Sequence, residues 1–506
     1  MLDDAASAAP DRPFLLERLH GDAWETLTFA QAAERSRRLG SGLRSLGASP
    51  ERPVMILSDN GIDHALITFG ALRAGVPVVP ISPAGDAPLR AIAALVRPSV
   101  VFARDGVASA STARAIAPGA AFVSVTRGGE VPGVSYRSLL AHPPIADDPS
   151  IGADTIAKIL FGATSADEAR GVVITHGMIC ASQQGIAQAW PFLAERPPVL
   201  VDRSPWSGSF GGNEMLGIVL RNAGTLYLDD AGPCADLSPT LAFGVPLAWA
   251  RWVERLRADD TLRRQWLSRL DLAVWEAATL APSTRHALHA IGLGLASAWG
   301  ALQAGGVIAV TRGGNPPHDA VGVPLAGVEL KLIPRAGTYE ARVRGPQVTP
   351  GYFWRPDLTA QAFDEEGFYR IGDLVRPIDP RAPQRGLAFV GRIDGRFRLG
   401  SGVWVPAEEL REAFLAQSAP DVAAVVVTGQ GHDVVGLLVW PSEDGALLDR
   451  DVLRAQIRDA MLRVGVQVQP GIRPRRALVM DEPRTVKPSQ IARLYASEPD
   501  AEVIVL

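Results

Sequence analysis

A chain of 506 residues is too long for one hydrophobic core; at roughly 100 to 200 residues per domain it should form two to four units. With 47% hydrophobic and 21% charged residues and a net charge of −4, it has the composition of a globular protein. Its scattered Lys and Arg lack the basic footprint of a nucleic-acid binder. The two cysteines, Cys180 and Cys234, have neither CxxC nor metal-ligand spacing, which argues against a zinc site and a disulfide framework. The opening "MLDDAASAAPDRP" has no basic or apolar leader, and no apolar run reaches the roughly 20 residues of a membrane span. A cytoplasmic protein with no membrane partner is the expectation.

From Thr28 to Gly47, Phe29, Ala32, Ala33, Leu39, Leu43 and Leu46 recur at helical spacing, and Thr28 with Gln31 forms a capping box. The apolar run "PVMIL", the helical "IDHALITFGALRAG" and the run "VPVVPIS" then alternate as βαβ units around a parallel sheet do. The same texture returns in "RPSVVFA", "AKILF", "PVLVD" and "GTLYLDD". Between Val321 and Gly402, short strands broken by Gly and Pro predict an antiparallel or barrel-like part. Beyond "FVGRIDGRFRLGSG", the runs "AAVVV" and "VVGLLVWP", the helix "RDVLRAQIRDAMLRVG" and the strand "RRALVM" predict a small α+β unit. His176 and the pair His286/His289 read as ordinary turn or helix residues rather than metal ligands.

In order along the chain, "LTFAQAAERSRRLGSGLRSLG", "GALRAGVPVVPISP", "LVDRSPWSGSFGGN", "GVPLAGVELKLIP", "GYFWRPDLTAQAFDEEGFYRIGDL" and "FVGRIDGRFRL" resemble the adenylate-forming superfamily of acyl- and aryl-CoA synthetases, luciferases and peptide-synthetase adenylation domains. Within it the likeness is greatest to feruloyl-CoA synthetases. The resemblance implies an α/β fold like that of acetyl-CoA synthetase. Residues 1–392 would form a large N-terminal domain of layered α/β sheets with a β-barrel-like part. Residues 393–506 would form a small, mobile α+β domain, with the hinge near Asp394. It also implies a reaction: a carboxylate attacks the α-phosphate of ATP, pyrophosphate leaves, and the coenzyme A thiol then attacks the acyl-adenylate. Such a site aims backbone N–H groups, a cation and Mg²⁺ at phosphate oxygens.

The resemblance carries over to individual residues. Asp373 in "YRIGDL" corresponds to the acceptor of the ribose hydroxyls, and Arg392 in "VGRID" to a ribose or phosphate contact. Trp206, Gly208 and Phe210 fall on the acyl pocket, where relatives carry Asn-His-Thr against Ser207, Gly208 and Ser209 here.

Four segments depart from the pattern. The phosphate loop reads "GATSADEARG", with Thr164 and Asp167 in place of glycines; Thr164, Ser165 and Arg170 remain to grip phosphate, while Asp167 and Glu168 oppose it. In "SAWGALQAGG", Gly300 is kept, Leu302 replaces a phosphate-binding Thr, and Gln303 replaces the Glu that holds Mg²⁺, leaving a poor ligand for a hard dication. Gly208 leaves the acyl pocket enlarged or ungated. Finally, the catalytic lysine position near "PRTVKPSQIA" falls on Ser489 or Gln490, with Lys487 two or three residues early.

Two main readings stand open, with a repurposed enzyme that acts on an already activated acyl group without ATP as a lesser third. One is an aromatic-acid–CoA ligase using ATP, Mg²⁺ and coenzyme A, with altered catalysis. The other is a degenerate relative that binds a small acid, a nucleotide or a protein. A homodimer is compatible with either.

Overall fold

The structure is a computed structural model. It describes residues 1–18, 23–81, 89–125, 133–162, 169–202, 204–229, 232–234, 236–280, 282–311, 316–335, 337–480 and 503–505. The capping box at Thr28 is made from both sides, and the helix Phe29–Ser45 buries Phe29, Ala32, Leu39 and Leu43. The next helix, Ile62–Arg73, packs against it and is buried on most faces.

Strands Val54–Leu57, Val78–Ile81, Val100–Ala103, Ala121–Ser124 and Val134–Ser135 pair in parallel in a seven-stranded sheet. Ile156–Phe161 continues the parallel set, and Gly171–Thr175 closes that edge antiparallel. The central strands are buried throughout, as the uninterrupted apolar runs predict.

A nine-stranded sheet makes the second layer. Its parallel half is Leu241–Gly244, Leu272–Glu276 and Leu295–Ala301. Its other half, from Gly306–Val310 through Ala320–Pro324 to Leu387–Arg392, Tyr369–Pro377, Thr338–Arg344 and Glu329–Arg335, is antiparallel. Of the two arrangements expected after Val321, the antiparallel one is present, continuous with the parallel strands.

Residues from Phe397 to Ile504 enclose a core of their own, with Phe414, Val435, Leu437, Met461 and Val464 among its buried members. The helix Arg450–Gln467 covers a sheet built from Val422–Thr428, Val435–Pro441, Pro474–Val479 and Val503–Val505. This unit touches the larger one where Leu247 N–H donates to the Gly400 carbonyl at 3.0 Å. Gly402 packs there against Val245 and Ala277. Among the described residues no helix is long and apolar enough to cross a membrane.

Candidate active site

A cavity of about 600 Å³ opens at the carboxyl ends of strands Leu241–Gly244 and Leu272–Glu276, the place where open α/β sheets bind ligands. Phe210, Trp299, Phe389 and Trp404 give it aromatic walls, and Gly208 faces it. A Cβ on Gly208 would stand 3.4 Å from the Pro205 carbonyl, an ordinary contact, so the missing side chain is space left to the cavity.

Asp373, 6% exposed, lies in the strand Tyr369–Pro377 and reaches the cavity. Its Oδ2 accepts from Trp299 Nε1 at 2.9 Å and its Oδ1 from Arg392 Nη1 at 2.6 Å. Burial raises its pKa, opposed by the Arg392 charge and the indole hydrogen bond. Gly372 beside it has φ +81, and the Arg392 guanidinium occupies the space a Cβ would need, at 2.9 Å.

Arg392 also donates to Asp394, through Nε at 3.0 Å and Nη2 at 3.0 Å, and Arg396 grips the same carboxylate at 2.9 and 2.6 Å. Burial alone would push Asp394 up; the two guanidinium groups outweigh it and hold the carboxyl at about 2. Arg392, Arg396 and Arg398 all stand over the Trp404 ring, at 5.1, 6.0 and 4.4 Å from its centroid.

Behind the cavity, Phe210–Met215 winds as a π-helix. Lys158, 5% exposed, donates to the Gly212 carbonyl at 2.6 Å, and burial lowers it to about 8. Glu214, fully buried, accepts from Ser182 Oγ at 2.7 Å, Gln183 Nε2 at 2.9 Å and Val307 N–H at 3.1 Å. Burial outweighs these bonds and raises it to about 7.

Residues 2–353 match the model of the AMP-binding enzyme family. The chain belongs to that family. An anthranilate–CoA ligase of Pseudomonas aeruginosa is 31% identical over 253 residues, 46% of each chain, so the chain spans just under half of that relative. A feruloyl-CoA synthase of an Amycolatopsis species is 25% identical over 453 residues, covering 85% of this chain and 87% of the synthase. Among solved structures, a malonyl-CoA ligase in ternary product complex with methylmalonyl-CoA and AMP superposes with a TM-score of 0.65 at 26% identity. That match covers 94% of this chain and 97% of the ligase.

In this AMP-binding family member, Asp373, Gly208, Phe210 and Gly300 line one cavity, and Arg392 joins them through Asp373. A Cβ on Gly300 would fall 2.1 Å from the Gly306 carbonyl, so this glycine is required by the crossing of its own hairpin, whatever it does for a ligand. Trp206 departs from the expected pocket wall. It is buried edge-on against His64 at 5.1 Å and borders a separate polar cavity of about 330 Å³. Gln303 is half-buried in the 3-10 turn Leu302–Ala304, outside the cavity lining, whereas Leu302 lines it. Arg170 is exposed and does not border the cavity. Thr164, Ser165, Asp167, Glu168, Lys487, Ser489 and Gln490 lie outside the described residues.

Sequence reasoning missed Lys158, Glu214, Glu276, Trp299 and Arg398. A lysine within "AKILF" and a glutamate closing "LAVWE" are charges inside apolar strand runs, the one signal that marked them.

Proposed function

We propose that this protein is an acid–CoA ligase that activates a planar aromatic carboxylic acid through an acyl-adenylate. The observation that carries this reading is the aromatic-walled cavity at the strand ends, with Asp373 on its border and oriented by Trp299 and Arg392. Each Asp373 oxygen takes one donor from the protein and keeps a lone pair, so a ribose hydroxyl can still be accepted there. In the first step the acid's carboxylate oxygen bonds to the α-phosphorus of ATP while the bond to the β-phosphate oxygen breaks. In the second, the coenzyme A sulfur bonds to the acyl carbon and AMP departs. The hydrogen-bond chain from Asp373 through Arg392 and Asp394 to Arg396 supports a hinge at Asp394, where Gly395 has φ +69.

Among the described residues no three His, Cys, Asp or Glu side chains form a metal site. Gln303 is neutral and lies outside the cavity lining, so it does not fit the role of a Mg²⁺ ligand. That chemistry favours the second reading, a family member that binds an aromatic acid or nucleotide without making the adenylate. Mass spectrometry of protein incubated with MgATP, coenzyme A and a panel of hydroxycinnamic and benzoic acids separates the two. A thioester that disappears in Asp373→Ala supports the ligase. Absence of both adenylate and thioester, with acid binding retained, supports the binding protein.

A further inference from the structure

The cavity carries a carboxylate that the reaction described above does not use. Glu276 ends the strand Leu272–Glu276 and lines the cavity, half-buried, beside Ala277 and Thr279. Among the described residues, no hydrogen bond or ion pair engages its carboxylate. The charged groups that act on it do so through space: Arg398, from the strand Phe397–Arg398 of the C-terminal unit, and Asp202, after the strand Val199–Val201. Asp202 is engaged by Ser204, through N–H at 3.0 Å and Oγ at 2.7 Å. Arg398 lines the same cavity and is turned onto Trp404.

A carboxylate held in an apolar, aromatic-walled space without a donor is costly unless something supplies one. Burial accordingly raises Glu276 to about 7. Every other acid described at this site is met by protein donors: Asp373 by two side chains, Asp394 by two arginines, Glu214 by three groups. Glu276 is the exception, and it lines the cavity.

We infer that Glu276 is a specificity-determining residue that accepts a hydrogen bond from an N–H or O–H donor on the planar ring of the bound ligand. This rests on the reading of the cavity as a ligand site for an aromatic acid and an adenine nucleotide, and it deepens that reading. The same donor chemistry has two sources, an amino or hydroxyl substituent on the acid or the exocyclic amine of adenine. A ligand lacking the donor leaves the carboxylate unpaired, and such sites reject the lesser ligand strongly.

The test is isothermal titration of wild type, Glu276→Gln and Glu276→Ala with matched pairs. One pair sets the amino- and hydroxybenzoate isomers against benzoate. The other sets AMP against purine riboside 5′-monophosphate, which lacks the amine. Wild type is expected to favour the donor-bearing member of one pair by about tenfold or more. Glu276→Ala should erase that preference without weakening the bare ligand, and Glu276→Gln, which keeps a carbonyl acceptor, should fall between. The pair that responds identifies the source of the donor. Binding with no preference in either pair, or a preference that survives in Glu276→Ala, overturns the inference and leaves the cavity reading intact. Failure of wild type to bind any of these ligands at millimolar concentration overturns both.

Discussion

The back and front of the cavity treat buried charge in opposite ways. Behind it, around the π-helix Phe210–Met215, Lys158 and Glu214 find partners within the protein: one donates to the Gly212 carbonyl, the other accepts from Ser182, Gln183 and Val307. In front, Glu276 has no donor among the described residues and Arg398 rests on an aromatic face. Buried polar groups that the chain satisfies itself hold structure; those it leaves open to a cavity await a ligand. The contrast separates scaffold from specificity without reference to any relative.

The largest expected effect lies at the back. Glu214→Ala leaves three buried donors without an acceptor and should cost about 3 kcal/mol in urea denaturation. The same carboxyl, raised from the usual range to about 7, makes the folded protein bind more protons than the unfolded chain between the two values. Stability conferred by the protonated form is therefore full below about pH 4.5 and falls as pH rises toward about 7, by as much as about 3 kcal/mol. Glu214→Gln should give a visibly shallower loss across that window when melting is followed at pH 5 and pH 7.5.

Next in size is Trp299→Phe. It keeps the ring but removes the indole donor from Asp373, so it should cost about 2 kcal/mol and raise the Asp373 pKa further, read from the pH dependence of nucleotide binding. The smallest effect belongs to the front. Among the described residues no donor loses its acceptor in Glu276→Gln, and the burden of an ionised carboxylate is relieved, so at pH 7.5 the variant should gain about 1 kcal/mol, reduced by cavity water. A large destabilisation by Glu276→Gln would erase the distinction between the two walls.

Much of the scaffold was legible in the sequence because local rules agree with the fold. The Thr28 capping box and the helical spacing of Phe29, Leu39 and Leu43 yield the helix observed, and the runs around Met55, Val79 and Val101 yield buried parallel strands. Asp373 and Arg392 were singled out because they sit in recognisable segments, and the structure joins them at 2.6 Å. What escaped depends on contacts between residues far apart in the chain. Trp299 and Asp373 are 74 positions apart, Lys158 and Gly212 are 54 apart, and a π-turn across "FGGNEM" has no periodic signature. Trp206 misled because a tryptophan beside pocket residues reads as pocket wall, while its ring is spent on His64.

The most direct test of the central claim is titration of AMP and ATP into wild type and Asp373→Asn. The amide keeps the size of the carboxyl but accepts poorly from ribose and disrupts the Arg392 ion pair. Saturable binding by wild type that weakens more than about tenfold in the variant is the result expected of a nucleotide site organised on Asp373. Equal affinity in both proteins, or no binding in either, would contradict it.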